Sequence, residues 1–457
     1  MSLEYRPLRA DETRLLTLSR CHATSLCDAG PGLDDVSLAF TTVSITAVSI
    51  PPFTALSYVW GDPSDTVQLE YSGGSLCVTR NLHAILGCLA SSLALDHEPA
   101  HLWIDAICID QARLDERAAQ VPHMRQIYSR ARSVLVFLAT TSAPYELGLS
   151  FLGQAAQHPT WHYEPSLEPR ITVQSGLDAH SEALRDSVIA IFAAPWWTRV
   201  WTVQEFVLAG RVTFRCGRAG IDGESMLAAS ENLKDHESGC CWAARHEADG
   251  SSRGYIHIPS TPNAGMSLFQ AIIRLDQLQV MCNAEAYDAR SLLGALSMFR
   301  TRECTDPRDH IFGMLGLDLG DQDQSLRSRV RVDYTAPATE LFQDVATAMI
   351  QTSGNLDVLS HVCQYSSLRG RLEGLPSWAP DWTATVDETF HHRYSERTRR
   401  TVLAKASGDS KSAWNVVSPG MKKRSKAGAH GSPTKTRRIC EKALDKMSEG
   451  LTISQGR

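Results

Sequence analysis

No apolar run in this chain reaches the roughly 18–20 residues that a membrane-spanning helix needs. Met1 to Arg9 also lacks the apolar stretch of a secretory leader, and there is no Asn-x-Ser/Thr acceptor for N-glycosylation. The 12 cysteines are scattered, several of them (Cys88, Cys108, Cys282, Cys304) inside apolar runs. That is the pattern of reduced, buried thiols rather than of a disulfide framework. These absences set the expectation of a cytoplasmic protein without a membrane partner. An internal repeat and a Gly-x-x-x-x-Gly-Lys-Ser/Thr phosphate loop are missing as well. Cys21-His22 with Cys27 and Cys240-Cys241 with His246 are the Cys/His groupings. Neither has a second pair at zinc-ligand spacing, so no metal is expected.

What is present is a 457-residue chain, 43% hydrophobic and 21% charged. That is too long for one ordinary core, and two domains with accessory segments are expected. The formal charge of −6 is unevenly spread: residues 391–457 hold 16 Lys+Arg against 5 Asp+Glu, which leaves −17 on residues 1–390. An acidic body is a poor nucleic-acid binder. The basic tail holds Lys422-Lys-Arg-Ser-Lys426 and Lys435-Thr-Arg-Arg438. This is either a nuclear-import signal or a solvated disordered segment.

Apolar patterning predicts N-terminal strands within residues 1–50 and an α/β domain over 51–220. A polar insertion over 221–265, a helical region over 266–385 and a basic disordered tail over 386–457 follow. Asn81 is expected to cap a helix with Leu82, Ile85, Leu86 and Leu89 on one face. His101 to Ile109 reads as a strand buried on both faces, followed by a helix near 116–131 and a second buried strand over 133–139. Strand, helix and strand within about 40 residues imply a βαβ unit and a parallel sheet. Pro122 must kink the intervening helix or mark its first turn.

Three aromatic-centred blocks carry the polar residues of interest. Ala55-Leu-Ser-Tyr-Val-Trp-Gly-Asp-Pro63 ends a strand in a turn, either a buried structural tryptophan or a ligand loop at a strand's carboxyl end. In Leu102-Trp-Ile-Asp-Ala-Ile-Cys-Ile-Asp-Gln111, Asp105 within an apolar run costs several kcal/mol unless hydrogen-bonded, so it is a structural acceptor or a site residue. Glu116, Arg117 and Gln120 share a helix face that fits a solvated face equally well. In Arg199-Val-Trp-Thr-Val-Gln-Glu205, Trp201 and Glu205 lie one helical turn apart. By spacing alone they fit a core tryptophan with a charge paired to Arg199 or Arg117, or a catalytic carboxylate.

Taken in order, these blocks resemble the fungal heterokaryon-incompatibility (HET) domain. Tyr5-Arg-Pro-Leu8 and Arg14-Leu-Leu16 precede them. The family-type positions are Ser57, Gly61, Trp103, Cys108, Gln111, Glu116, Arg117, Gln120, Met124, Arg199 and Gln204. Thr305-Asp-Pro-Arg-Asp309, Val332-Asp-Tyr334 and Leu375-Pro-Ser-Trp-Ala-Pro-Asp-Trp382 resemble the region that follows this domain. The resemblance covers about residues 3–384. Asp110 stands where the family usually has Asn, Pro122 interrupts a helix, and the sequence turns basic after about residue 385.

The resemblance implies non-self recognition between fused fungal cells and regulated cell death, with protein partners: self-association or an allelic incompatibility partner. It also implies a fold likened to the Toll/interleukin-1 receptor (TIR) domain. The expected class is thus α/β, a parallel sheet with flanking helices in a TIR- or flavodoxin-like core, plus N-terminal strands and a mostly helical C-terminal region. NAD-cleaving TIR domains carry Trp-x-x-x-Glu with a catalytic Glu, and Trp201-Thr-Val-Gln-Glu205 has that spacing. By this likeness Glu205 is the catalytic candidate, Tyr58, Trp60, Asp105 and Trp201 are ligand-binding candidates, and NAD+ is the candidate substrate. No cofactor is otherwise implied. The alternatives are a non-enzymatic signalling and assembly module, or a nuclear regulator.

Overall fold

The computed structural model describes residues 5–20, 33, 36–92, 99–164, 166–172, 182–241, 243–244, 291–317, 321–365 and 371–384. The Gly30-Pro31-Gly32 turn, residues 245–265 of the polar insertion, His246, and the basic tail with its import-like runs lie outside the described residues; the first part of that insertion is a helix, Gly223–Ser238, rather than a loop. The chain divides into two compact units, Met1–Glu285 and Ala286–Arg457.

The first unit is built on a seven-stranded mixed sheet, order β2-β1-β6-β3-β7-β8-β9. Its centre is parallel: β6 (Ala100–Trp103), β3 (Phe53–Tyr58), β7 (Ser133–Ala139) and β8 (Val212–Cys216). Its margins are antiparallel, with β1 (Glu12–Arg20) and β2 (Val36–Ser44) on one side and β9 (Ala219–Asp222) on the other. The N-terminal strands therefore belong to the same sheet as the predicted βαβ unit. β6 and β7 flank β3, and near-continuous burial along β3 fits a strand covered on both faces; β7, expected to be buried throughout, buries Val134, Val136 and Phe137 and leaves the others partly accessible. β4 (Thr66–Tyr71) and β5 (Gly74–Thr79) form a separate hairpin.

Helix α1 (Arg80–Ser92) buries Leu82, Ile85, Leu86 and Leu89 as the periodicity requires. Its cap differs from expectation. The Leu82 amide donates to Thr79 Oγ1 at 3.3 Å, while Asn81 donates from Nδ2 to the Val59 carbonyl at 2.6 Å. Asn81 is thus a clamp on the β3 exit.

The run His101 to Ile109 is not one strand. β6 stops at Trp103, and α2 (Asp105–Cys108) begins because Asp105 Oδ1 accepts the Ala106 amide at 2.8 Å and the Cys108 amide bonds to Ile104 O at 2.7 Å. Pro122 does break the next helix. α3 (Leu114–Gln120) ends in a 3-10 turn at Val121–His123, and α4 (Met124–Arg130) resumes.

α5 (Glu146–Gln157), α6 (Glu182–Ala193), a 3-10 turn at Pro195–Thr198, α7 (Trp201–Val207) and α8 (Gly223–Ser238) complete the unit. Trp196, Trp197 and Phe214 make its aromatic centre, with ring centroids 4.8 to 5.6 Å apart.

In the second unit the described elements are helices α9 (Leu292–Met298), α10 (Asp309–Leu315), α11 (Asp321–Arg329), α12 (Ala338–Ser353) and α13 (Ser360–Tyr365), with a 3-10 turn at Asp357–Leu359. Gly354, at φ +66°, closes α12 as only a residue without Cβ does at low cost.

The downstream blocks tie this unit together. Arg308 meets both carboxylate oxygens of Asp306 (2.8 and 2.7 Å) and the carbonyls of Tyr334 and Ala336, and Tyr334 donates to Asp309 Oδ1 at 2.8 Å. Arg300 bonds the Asp381 carbonyl and lies 4.9 Å from the Trp382 ring centroid. Those blocks are architectural here. Among the described residues, no helix is long and apolar enough to cross a membrane.

Candidate functional site

Parallel neighbours β3 and β6 deliver their carboxyl ends to the same edge of the sheet, the edge where open α/β sheets place ligands. β3 contributes Ser57 and Tyr58, and the chain then leaves through Val59, Trp60 and Gly61. Gly61 has φ +82°, and a Cβ there would sit 3.1 Å from Asn81 Cβ. A glycine is therefore required on both conformational and steric grounds. Just past the end of β6, α2 opens with Asp105, whose Oδ2 accepts the Trp60 indole N–H at 2.9 Å. Gln111 Nε2 holds the Asp105 backbone carbonyl at 2.8 Å. Asp105 is thus both a structural acceptor and a member of this edge, and Trp60 and Asp105 are its half-exposed residues.

Beneath them lies a buried polar chain. Trp196 donates from Nε1 to Ser57 Oγ at 2.7 Å, and the Ser57 hydroxyl donates to Glu205 Oε2. Trp196 is fully buried, Ser57 is 1% exposed and Glu205 is 3% exposed. Thr202 stabilises the turn that carries Trp196 and Arg199 by donating to both their carbonyls (3.1 and 2.8 Å). Arg199 itself bonds the Tyr58 carbonyl.

The electrostatics follow from this burial. Desolvation pushes the Glu205 carboxyl from its ordinary 4.5 up to about 7; Asp105 adds to the rise, while Arg199 and the Ser57 hydrogen bond oppose it. Burial also raises Asp105, against the pull of Arg199 and of the Trp60 and Ala106 donors. Tyr58 and Tyr128 are pushed well above 10 by burial, and both feel Asp105 and Glu205. The Tyr58 hydroxyl has no hydrogen-bond partner among the described residues although Tyr58 is 2% exposed. Buried hydroxyls are normally satisfied.

With its pKa raised to about 7, Glu205 is a carboxyl that can carry a proton near neutral pH, and the half-exposed Trp60 offers an indole face beside it. Tyr58, a ligand-binding candidate by the family likeness, is buried, so its ring offers no open face. Trp201 opens α7 and is half-exposed, one turn from Glu205. Trp196, which supports Ser57 directly, was visible in the sequence only as a tryptophan after Pro195. Nothing in linear spacing links it to residue 57.

Other family-type residues form a second, separate corner. Arg14 pairs with Glu116 through two bonds of 2.5 and 3.1 Å, and also donates to the carbonyls of Cys108 (2.9 Å) and Arg6 (2.7 Å). The Asp110 amide donates to Glu116 Oε1 at 2.7 Å. Glu116 is therefore not on a solvated face: it is 7% exposed, and Gln120 is 1% exposed with Nε2 on the Glu12 carbonyl at 2.7 Å. Trp103 is fully buried, donating to Thr13 Oγ1 at 3.1 Å, and Cys108 is a buried thiol raised to about 12 by desolvation. Gln204 Nε2 reaches Met124 Sδ at 3.7 Å, coupling α7 to α4. Arg117, on α3, is half-exposed.

Two further features bear on chemistry. His97-Glu-Pro-Ala-His101 spells the His-Glu-x-x-His pattern of zinc hydrolases, but that pattern needs a helix. His101 lies in β6 with Nδ1 3.0 Å from Thr17 Oγ1, which excludes the motif. Elsewhere the fold gathers His162, His236, Cys240 and Cys241, their donor atoms within 4.8 Å of one another. Sequence spacing singled out Cys240-Cys241 but paired them with His246 and not with these two histidines, because His162 is 74 residues before His236.

Residues 53–205 match the family model described as Heterokaryon incompatibility protein (HET). Over 407 residues the chain is 29% identical to heterokaryon incompatibility protein 6, OR allele, of Neurospora crassa, across 79% of this chain and 57% of that protein. The chain thus spans little more than half the length of that relative. No solved structure matches it. Ser57, Tyr58, Trp60, Asp105, Trp196, Arg199 and Glu205 all fall within the matched segment.

Proposed function

We propose, from the match of residues 53–205 to the heterokaryon-incompatibility family model, that the chain is an effector of non-self recognition and regulated cell death that acts by TIR-like cleavage of NAD+. The observation that carries this reading is Glu205: a buried carboxyl raised to about 7, one turn after Trp201 and at the carboxyl end of parallel strands.

In this reaction water and NAD+ give ADP-ribose, nicotinamide and a proton. The ionised Glu205 stabilises the oxocarbenium-like state as the glycosidic bond to nicotinamide breaks, and takes a proton from the attacking water. Asp105, held by Trp60, anchors the edge, and Trp60 supplies the stacking face. Because Glu205 is 3% exposed, substrate entry requires the Trp60–Gly61 segment to move, and assembly with a partner or a second copy is the proposed trigger.

The test is nicotinamide release from NAD+ by the purified full-length chain, dilute and concentrated or cross-linked into oligomers. Release that depends on assembly and disappears in Glu205→Gln supports the reading. Absence of release from every oligomeric form sinks it.

A second reading, a non-enzymatic assembly module, is favoured by the closed Trp196–Ser57–Glu205 chain, which is also what a core network looks like. A folded Glu205→Gln chain that still kills cells in a death assay supports that alternative. Nuclear action through the basic tail is a third reading, which deletion of residues 386–457 from a fluorescent fusion tests.

A further inference from the structure

We propose that His162, His236, Cys240 and Cys241 form a structural Zn²⁺ site on the first unit, with both imidazole Nδ1 atoms and both thiolates as ligands. The site shares no residue with the Ser57–Glu205 chain and does not depend on the function proposed for it.

Distances carry the argument. His236 Nδ1 lies 3.0 Å from Cys240 Sγ and 3.7 Å from Cys241 Sγ. His162 Nδ1 lies 3.3 and 3.7 Å from the same two sulfurs. A tetrahedral zinc with its usual bond lengths puts sulfur and nitrogen ligands about 3.6 Å apart. The four nitrogen–sulfur edges run from 3.0 to 3.7 Å, three of them near that value and the His236–Cys240 edge shorter, and they come from two histidines and two cysteines, the donor set of structural zinc.

The surroundings orient these donors. His236 Nε2 lies 2.9 Å from the Pro159 carbonyl. A carbonyl accepts only from N–H, so the proton sits on Nε2 and Nδ1 presents its lone pair to the sulfurs. This is the outer hydrogen bond that metal-bound histidines make. The two rings stand edge to face, centroids 4.9 Å apart.

Backbone pins both halves. The His162 amide bonds to Pro169 O at 2.8 Å and its carbonyl accepts from the Ile171 amide at 2.9 Å. Asn232 of α8 donates to the Ala155 carbonyl of α5 at 2.8 Å. His236 and Cys240 are four residues apart across the end of α8, so they share a face, and Cys241 follows, buried. Four protein donors leave no open position, which makes the site structural rather than catalytic. Its mechanical role is to fasten the segment after α5 to the end of α8. On binding, two thiol protons leave and the two thiolate charges balance the ion.

The test uses the full-length chain. Metal analysis of the purified protein is expected to find about one zinc per chain. After chelation, added Co²⁺ is expected to give the visible d–d bands and thiolate charge-transfer absorption of a tetrahedral site, bleached by Zn²⁺. Cys240→Ser, Cys241→Ser and His162→Asn each lower zinc affinity at least tenfold, while Cys77→Ser, at an exposed free cysteine, leaves it unchanged. Because a ligand variant can lose its fold, circular dichroism accompanies each, and the Co²⁺ spectrum of the unsubstituted chain decides independently. Substoichiometric zinc with no thiolate–Co²⁺ band overturns the proposal, as does a Cys240–Cys241 disulfide in the purified protein or wild-type zinc affinity in folded His162→Asn.

Discussion

Glu116 and Glu205 are both buried glutamates on seven-residue helices of the same unit, yet their surroundings differ in kind. Glu116 faces a guanidinium in a two-bond pair with Arg14 and also takes a backbone amide. Glu205 receives the neutral Ser57 hydroxyl and feels Arg199 without a counterbalancing gain, so burial lifts it to about 7. The lesson is that burial alone does not define a carboxylate's role. A matched counter-charge makes it a brace, whereas neutral donors leave it able to exchange a proton.

Placing the same substitution at both positions separates them most strongly. Glu116→Gln leaves Arg14 buried without its charge partner, and the expected loss in unfolding free energy is about 3 kcal/mol or more. Denaturant titration at neutral pH checks it, and a neutral outcome would erase the contrast.

At Glu205 the sign reverses. Its pKa is raised on folding, so the stability linked to its proton is fully present below about 4.5 and is lost as pH rises through about 7. Wild type minus Glu205→Gln should therefore show up to about 3 kcal/mol of pH-dependent difference across that window, with the Gln chain the more stable at pH 8. A Gln chain that is less stable at every pH refutes this assignment.

The smallest effect is expected at the support of the chain. Trp196→Phe removes the indole N–H from Ser57 and leaves a small cavity in the aromatic centre, and should cost about 2 kcal/mol, read in the same denaturation assay, without altering the Glu116 corner.

Much of this was legible in the letters. Apolar runs located β3, β6 and β7, and the 3.6-residue periodicity found α1, because those patterns are set by local burial. The end of β6 was not legible. An Asp in an apolar run reads as a buried polar intrusion until its side chain is seen to start α2. Asn81 looked like a cap, but Thr79 two residues earlier took that role once Asn81 was drawn to Val59. Glu116 read as surface because its partner, Arg14, lies 102 residues away. Long-range pairing likewise hid Trp196 with Ser57 and His162 with the two cysteines. Residues that act through partners distant in sequence leave no periodic trace.

The most direct check is a site-resolved titration of Glu205, by carbon-labelled glutamate NMR or infrared difference spectroscopy of wild type against Glu205→Gln. A carboxyl that titrates near 7 and is absent from the Gln chain is the predicted result. A Glu205 already ionised at pH 5, like an ordinary paired carboxylate, would contradict the account.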